Sequence, residues 1–418
     1  MKFSKKITDY LFTFGTEGIV MIAGLLVYRL AANQFGDLGF SEYSLARRAI
    51  SLIQPVLILG MGVGIPRYIA FSRAEGNIEK SNTYFLSGFL LLNLFSLLLL
   101  IFLVVFREMA AFWLFGDVQY TYMIIPIAVM LLGASLHASA YSYFRGTVRM
   151  KIANLFQLIN LGIVPVVSLL AGNSIQEIFY YNGAAWCIVS IVFLTIIFTG
   201  IRFEKLFFKS NARELLIYGI QRVPGDFALS LFLAAPAFLV VHMSGITIGG
   251  YVAFGISVVG IIGSAFSPIS LILLPEASRM IAEKNFTALR REVKLLLLWT
   301  VLCNVVFVII FCLFASTIIS IYLGEAFPEL VRICVVLIIS SLGYSVFVVL
   351  RSVIDAYYKF AMNTRNILIA FVIFIAFAGI VIYNDFGYTN LLITFVFSMI
   401  VLGLLSLADV VRILTKNR

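Results

Sequence analysis

The sequence predicts an all-α polytopic membrane protein, with about twelve transmembrane helices in two parallel six-helix repeats around a central cavity. Three observations predict it. Hydrophobic residues make up 62% of the 418 residues and charged residues only 12%, about half the charged share of a soluble domain, and mean hydropathy is +1.07. The apolar runs are about 20 residues long and do not alternate, which fits membrane helices and not barrel strands. Short motifs also recur at an offset close to half the chain length. In lipid every backbone amide needs an internal partner, so long apolar runs become helices.

Apolar runs place the spans near 9–32, 42–71, 83–106, 120–144, 152–171, 178–200, 214–241, 250–274, 293–320, 331–356, 366–383 and 389–411. The first contains Glu17 and continues to about Tyr28 without a small-residue cleavage site, so it reads as a helix and not as a cleaved signal peptide. The second closes in "GIPRYIAFSRAEGN", where Pro66 is expected to bend the last turns and Arg73 to sit at the interface. After the third, "YFLSGFLLLNLFSLLLLIFLVVF" (84–106), the run "REMAAFWLFGD" (107–117) is expected on the membrane surface. "RMIAEKNFTALRREVK" (279–294) is expected to lie on the opposite surface. His137, in the fourth span, reads as a hydrogen-bonding group inside the bundle, with titration as the alternative.

The two halves echo each other. Tyr43 and Tyr251 are 208 residues apart, and Pro66 and Pro275 are 209 apart. "FGDLGFSEYSLA" (35–46) faces "SGITIGGYVAF" (244–254), and "SRAEGN" (72–77) faces "SRMIAEKN" (278–285) with two residues inserted. The expected division is a bundle over 1–201, a linker over 202–213 in the stretch "GIRFEKLFFKSNAREL", and a second bundle over 214–418. Six spans are an even number, so both repeats enter from the same side, with the functional site between them.

The net charge of +10 follows membrane topology and needs no nucleic acid. With the N-terminus inside, the cytoplasmic segments hold Lys2, Lys5, Lys6, Arg73, Lys80, Arg145, Arg149, Lys151, Arg202, Lys205, Lys209, Arg213, Arg279, Lys284, Arg290, Arg291, Lys294, Lys359, Arg365, Arg412, Lys416 and Arg418. The outer loops hold only Arg107 and Arg332, at helix ends. This asymmetry predicts a cell-membrane protein with both termini in the cytoplasm. Cys187, Cys303, Cys312 and Cys334 lie in apolar segments and suggest no disulfide framework, and two distant histidines make no metal site. No cofactor is expected.

The Gly-x-x-x-Phe-x-x-Tyr outline, followed by a long helix closing in "GIPRYIA", resembles the polysaccharide flippases of the multidrug/oligosaccharidyl-lipid/polysaccharide exporter superfamily. Gly36, Tyr43, Gly62, Pro66 and Arg67 carry the likeness in the first half, and Gly250, Tyr251 and Pro275 in the second. Ser41 departs from it, standing where the family more often has a second glycine. The resemblance implies alternating-access movement of an undecaprenyl-pyrophosphate-linked oligosaccharide from inner to outer leaflet, for O-antigen, capsule or exopolysaccharide export. It also implies working alongside polysaccharide polymerase and chain-length proteins.

Charges inside the spans supply the candidate site. A charge at a helix centre costs roughly 2.5–3.5 kcal/mol on insertion scales, so it usually faces the bundle interior or water. Arg29, Arg47, Arg67, Arg222 and Arg351 are the candidate substrate residues, because guanidinium binds phosphate through a rigid fork. Arg48 is a weaker neighbour of Arg47. Snorkelling to the interface is the competing reading for Arg29, Arg47 and Arg67. Arg222 with Asp226, and Arg351 with Asp355, stand four residues apart and on this reading neutralise each other. Glu17, Asp226 and Asp355 are the candidate coupling-ion carboxylates, and Asp409 reads as interfacial. Tyrosines in "YSYFRG" (141–146) and "DAYYKF" (355–360) read as interface anchors, with sugar stacking as the alternative.

Other functions fit less well. A drug or cation antiporter of the same architecture would need acidic residues to dominate, and the bias here is cationic. A membrane glycosyl polymerase or ligase would need a sizeable loop, and the loops run only to roughly 18 residues. A channel does not account for the two repeats.

Overall fold

A computed structural model of the protein describes residues 2–201, 205–324, 327–358 and 361–416. Arg202, Lys359 and Arg418, and part of the expected linker, lie outside the described residues. So do the side chains of Lys2, Lys5, Lys6, Lys205, Pro275 and Lys416.

The described residues form helices and turns, with no strand. The first helix, α1, covers Lys2–Ile58, 57 residues. At about 1.5 Å per residue that is more than twice the ~30 Å hydrocarbon thickness. Gly36 resolves the excess: its backbone (φ 62, ψ −162) is non-helical and folds α1 into two crossings. Such a conformation strains any residue with a Cβ. A 61-residue helix, α9 (Lys205–Ala265), is divided in the same way at Gly245 (φ 84, ψ 175). Among the described residues nine helices are long and apolar enough to cross a membrane, or ten if α12 (Pro328–Ile338) and α13 (Ser340–Tyr357), bent by 42°, form one span. With α1 and α9 each counted as two crossings and the bent pair as one, the described residues give about twelve, in line with the expected number.

Chain contacts divide the molecule into Met1–Phe227 and Ala228–Arg418, so the division falls within α9. In the first unit α1 is followed by α2 (Met61–Ala74), α3 (Ile78–Val105), the short α4 (Arg107–Phe115), α5 (Ile124–Gly146), α6 (Met150–Gln157), α7 (Val164–Ala171) and α8 (Ile175–Phe198). A π-helical segment, Leu158–Ile163, joins α6 to α7 within one span. The second unit continues with α10 (Ser267–Ala282), α11 (Phe286–Leu323), α12, α13, α14 (Met362–Tyr383) and α15 (Tyr388–Lys416).

The same joints occur in both units. After α2 and after α10 the chain turns through a left-handed residue, Gly76 (φ 78) or Lys284 (φ 55). The next residue, Asn77 or Asn285, caps the following helix by accepting from Lys80 N (2.8 Å) or Ala288 N (3.1 Å). These pairs are 208 residues apart. The true correspondence is therefore Ala-Glu-Gly-Asn with Ala-Glu-Lys-Asn, and no insertion is needed. Gly116 (φ 82) and Gly324 (φ 85), again 208 apart, end α4 and α11 as left-handed caps.

Glycines also bring the fourth and sixth crossings together. A Cβ on Gly183 would lie 2.7 Å from Met130 N across α5 and α8, and one on Gly343 would lie 2.1 Å from Met399 O across α13 and α15. Beside each contact an asparagine is held by two serines four residues apart. Asn93 binds Ser135 and Ser139 of α5, and Asn304 binds Ser341 and Ser345 of α13.

Three local expectations are corrected. The break in the second crossing lies at Leu59 (φ 51) and Gly60 (φ 65), upstream of Pro66, which sits inside α2. Two successive left-handed residues reverse the local handedness and interrupt the helix, whereas Pro66 is accommodated within α2. Residues 279–294 are not a separate surface helix; they are the end of α10, a turn, and the first turns of α11. Tyr143 is no interface anchor, since it is buried and meets Phe85 edge-on at 4.9 Å.

Candidate functional site

A polar surface of the first unit runs along the seam between α2 and the start of α9. Glycines allow the two helices to meet. A Cβ on Gly219 would fall 2.2 Å from Leu59 O, and one on Gly60 would fall 3.2 Å from Gly219 Cα. The break at Leu59–Gly60 therefore rests directly against α9. On either side of this contact stand the polar groups. Arg67 is exposed, and its guanidinium lies 5.4 Å from the Tyr218 ring centre and 6.0 Å from that of Tyr68. Both separations suit a cation over an aromatic face. Tyr68 stacks on Tyr84 at 4.9 Å, and the Tyr84 hydroxyl donates to Glu214. One turn beyond Tyr218, Arg222 Nε lies 3.3 Å from Asp226 Oδ2, with side chains 39% and 43% exposed. Arg222 Nε makes no hydrogen bond, so the pair is an ion pair of poor geometry.

The other candidates of this unit lie apart from the seam. Arg47 is half-buried; it donates to Tyr43 Oη (3.3 Å) and lies over the rings of Tyr28 (5.6 Å) and Tyr43 (5.9 Å). Arg48 is buried and Arg29 is exposed. Glu17 is exposed and accepts from Gln157 Nε2 at 2.9 Å, while Asn154 Nδ2 donates to Thr13 Oγ1 at 2.9 Å. The amide oxygens of Asn154, Gln157 and Asn160 are buried and accept no hydrogen bond. Asn160 lies in the π-helical segment, a distortion that often marks functional positions. His137 hydrogen-bonds Asn160 Nδ2 at 3.0 Å and stacks on Phe156 at 4.5 Å, as expected of a group inside the bundle.

In the second unit the expected Arg351–Asp355 neutralisation is not formed. Asn363 Nδ2 holds Asp355 Oδ1 at 2.6 Å and the Arg351 carbonyl at 3.0 Å, while the Arg351 guanidinium lies 5.7 Å from the Phe347 ring centre. The spacing of four was right, but a side chain from α14 reaches the carboxylate first. Asp409 lies buried among side chains of the second unit. It is 1% exposed, accepts from Arg365 on both oxygens (2.9 and 3.0 Å) and from Asn366 Nδ2 (2.8 Å), and has Arg412 at 3.7 Å.

The sequence reading missed Tyr68, Tyr84, Glu214 and Tyr218. A signal for two of them was present: Glu214, Tyr218, Arg222 and Asp226 repeat every four residues. The amides Asn154, Gln157 and Asn160 gave another, at intervals of three in an apolar span.

A family model described as "Polysaccharide biosynthesis protein" matches residues 8–281. No curated protein sequence matches. Among solved structures, an inward-facing multidrug resistance MATE family transporter of the MOP superfamily superposes with a TM-score of 0.77 at 14% identity, covering 95% of each chain. The lipid II flippase MurJ, in an inward closed conformation, superposes with a TM-score of 0.74 at 15% identity over 97% of this chain and 87% of its own. A MOP superfamily transporter from Pyrococcus furiosus, described as having a binding pocket of reversed polarity, gives 0.67 at 13% identity over 98% and 94%. At such identities these likenesses show the fold alone. The fold is the one these transporters and this flippase share, and the apolar helices make the protein a multi-pass membrane protein. The chain belongs to the polysaccharide biosynthesis protein family.

Proposed function

We propose that this protein is a flippase for polyprenyl-pyrophosphate-linked oligosaccharide, undecaprenyl in the bacterial case. It carries repeat units from the inner to the outer leaflet by alternating access, for export of a surface polysaccharide such as O-antigen. The observation that carries this reading is Arg67, an exposed guanidinium held over Tyr218 with no carboxylate in ion-pair range among the described residues. Such a group suits an anionic pyrophosphate better than a cationic drug. Arg222 extends the cationic surface within the first unit, and Arg29, Arg47 and, in the second unit, Arg351 are the further candidate contacts. The working halves are 1–201 and 214–418, joined by 202–213. Both termini lie in the cytoplasm, and polymerase and chain-length proteins act next on the product.

Ion coupling belongs to the same reading. Glu17 leads the candidate carboxylates, because its partner Gln157, and Asn154 three residues before that, carry buried amide oxygens that accept no hydrogen bond. Asp226 is held by Arg222 and Asp355 by Asn363, which leaves them less free to exchange a cation.

Depletion of the protein tests the proposal. Polyprenyl-linked glycan should accumulate on the inner leaflet while surface glycan falls, and Arg67→Ala should reproduce both effects. Unchanged glycan flux with raised sensitivity to cationic drugs would instead establish the ion-coupled multidrug antiporter.

A further inference from the structure

Helix α9 opens with four polar side chains at intervals of four, Glu214, Tyr218, Arg222 and Asp226. They wind slowly along its α2-facing side, over about 18 Å of helix axis. None is buried. Between them the helix carries Ile217 and Ile220, both exposed, and Leu215 and Gly219, packed inward. An aqueous cavity is the environment such a polar row needs, because lipid would strip its charges of water. Arg67 joins the row from α2, over Tyr218.

Resting on the flippase reading above, we infer that this row is a glycan subsite, and that it selects a neutral, hydroxyl-rich sugar next to the pyrophosphate. Arg67 and Arg222 flank Tyr218 and grip the two phosphates through charge-assisted hydrogen bonds. The Tyr218 ring offers an apolar face to the C–H face of a pyranose and a hydroxyl to its edge. Glu214 and Asp226, one turn below and two turns above Tyr218, accept from sugar hydroxyls. Glu214 has the capacity to do so: Tyr84 occupies Oε2, and Oε1 accepts nothing from the described residues. The same two carboxylates repel a sugar that carries its own carboxylate. About 18 Å accommodates a pyrophosphate and two pyranoses.

Binding to the purified full-length protein in nanodiscs tests the inference with three probes. These are a fifteen-carbon prenyl pyrophosphate, the same lipid bearing a neutral hexosamine, and the same lipid bearing a hexuronic acid. The neutral sugar should tighten binding about tenfold over the bare lipid, and the uronate should not. Tyr218→Ala should erase that increment while leaving the bare pyrophosphate bound, and Tyr218→Phe should keep most of it. Glu214→Gln together with Asp226→Asn should remove the discrimination against the uronate; monodispersity of each variant checks that it folds. If the neutral sugar adds nothing, or Tyr218→Ala and the double variant both behave as wild type, the subsite is wrong while the flippase reading stands. If the bare prenyl pyrophosphate does not bind the wild-type protein at all, the flippase reading itself fails.

Discussion

Arg222–Asp226 in the first unit and Arg365–Asp409 in the second are both arginine–aspartate pairs on apolar helices, and their surroundings differ completely. Asp409 is 1% exposed, with both oxygens occupied by Arg365 and one also by Asn366. Asp226 is 43% exposed and meets Arg222 without a hydrogen bond. A saturated, dehydrated carboxylate is fixed structure, because removing a partner strands a charge in low dielectric. An exposed, poorly bonded pair keeps hydrogen-bonding capacity for something else. The contrast separates two roles that residue type alone leaves identical.

The largest effect should come from the buried pair. Arg365→Ala is expected to lower stability by about 3 kcal/mol, since it leaves the buried Asp409 carboxylate with only Asn366 and a more distant Arg412. Asp226→Ala is expected to cost less than about 1 kcal/mol, as exposed pairs do. Thermal unfolding of the two purified variants, followed by tryptophan fluorescence, compares them directly; equal losses would erase the distinction.

Next come the glycine contacts. Gly343→Ala and Gly219→Ala would each push a Cβ against a backbone oxygen, at 2.1 Å and 2.2 Å respectively. Each is expected to cost about 2–3 kcal/mol. Gly219→Ala should also impair transport, because it displaces α2 and with it Arg67. Gly379→Ala, where a Cβ meets nothing within 4 Å, serves as the control in the same assay.

The asparagine clamps sharpen the comparison further. Asn304 is buried, whereas Asn93 is only half-buried. Asn304→Ala should cost about 2 kcal/mol and Asn93→Ala about 1 kcal/mol, because water can reach the serines left by the second. Denaturation midpoints of the two variants, measured side by side, decide the order.

The smallest effect concerns the matched turns. Lys284 takes the left-handed conformation that Gly76 takes without strain. Lys284→Gly should therefore stabilise by about 0.5–1 kcal/mol, and Gly76→Ala should destabilise by a similar amount. A melting-temperature shift of the same sign for both would show that the two turns are not equivalent.

Much of the fold was legible because lipid imposes a simple rule on sequence. Length and hydropathy located the crossings, and the constant offset of matched tyrosines and prolines located the repeat. The duplicated "AEGN" and "AEKN" turns were visible but misaligned, since matching Ser72 with Ser278 required an insertion that the helix caps do not contain. The site was less legible. Arg67 stood out as a charge near a helix end, yet its contact with Tyr218 joins residues 151 positions apart. Arg351 and Asp355 had the spacing of a pair, and Asn363 intervened from another helix.

By itself, then, the sequence determined the class of protein, its roughly twelve crossings and its twofold internal pattern, because burial in lipid acts on each segment independently. The tertiary structure alone decided which charges are saturated and which remain open. That depends on side chains brought from distant helices, and hydrophobic periodicity carries no record of them. Asp409 and Asp226 are the same residue in similar sequence settings, and only packing makes one a lock and leaves the other open to water.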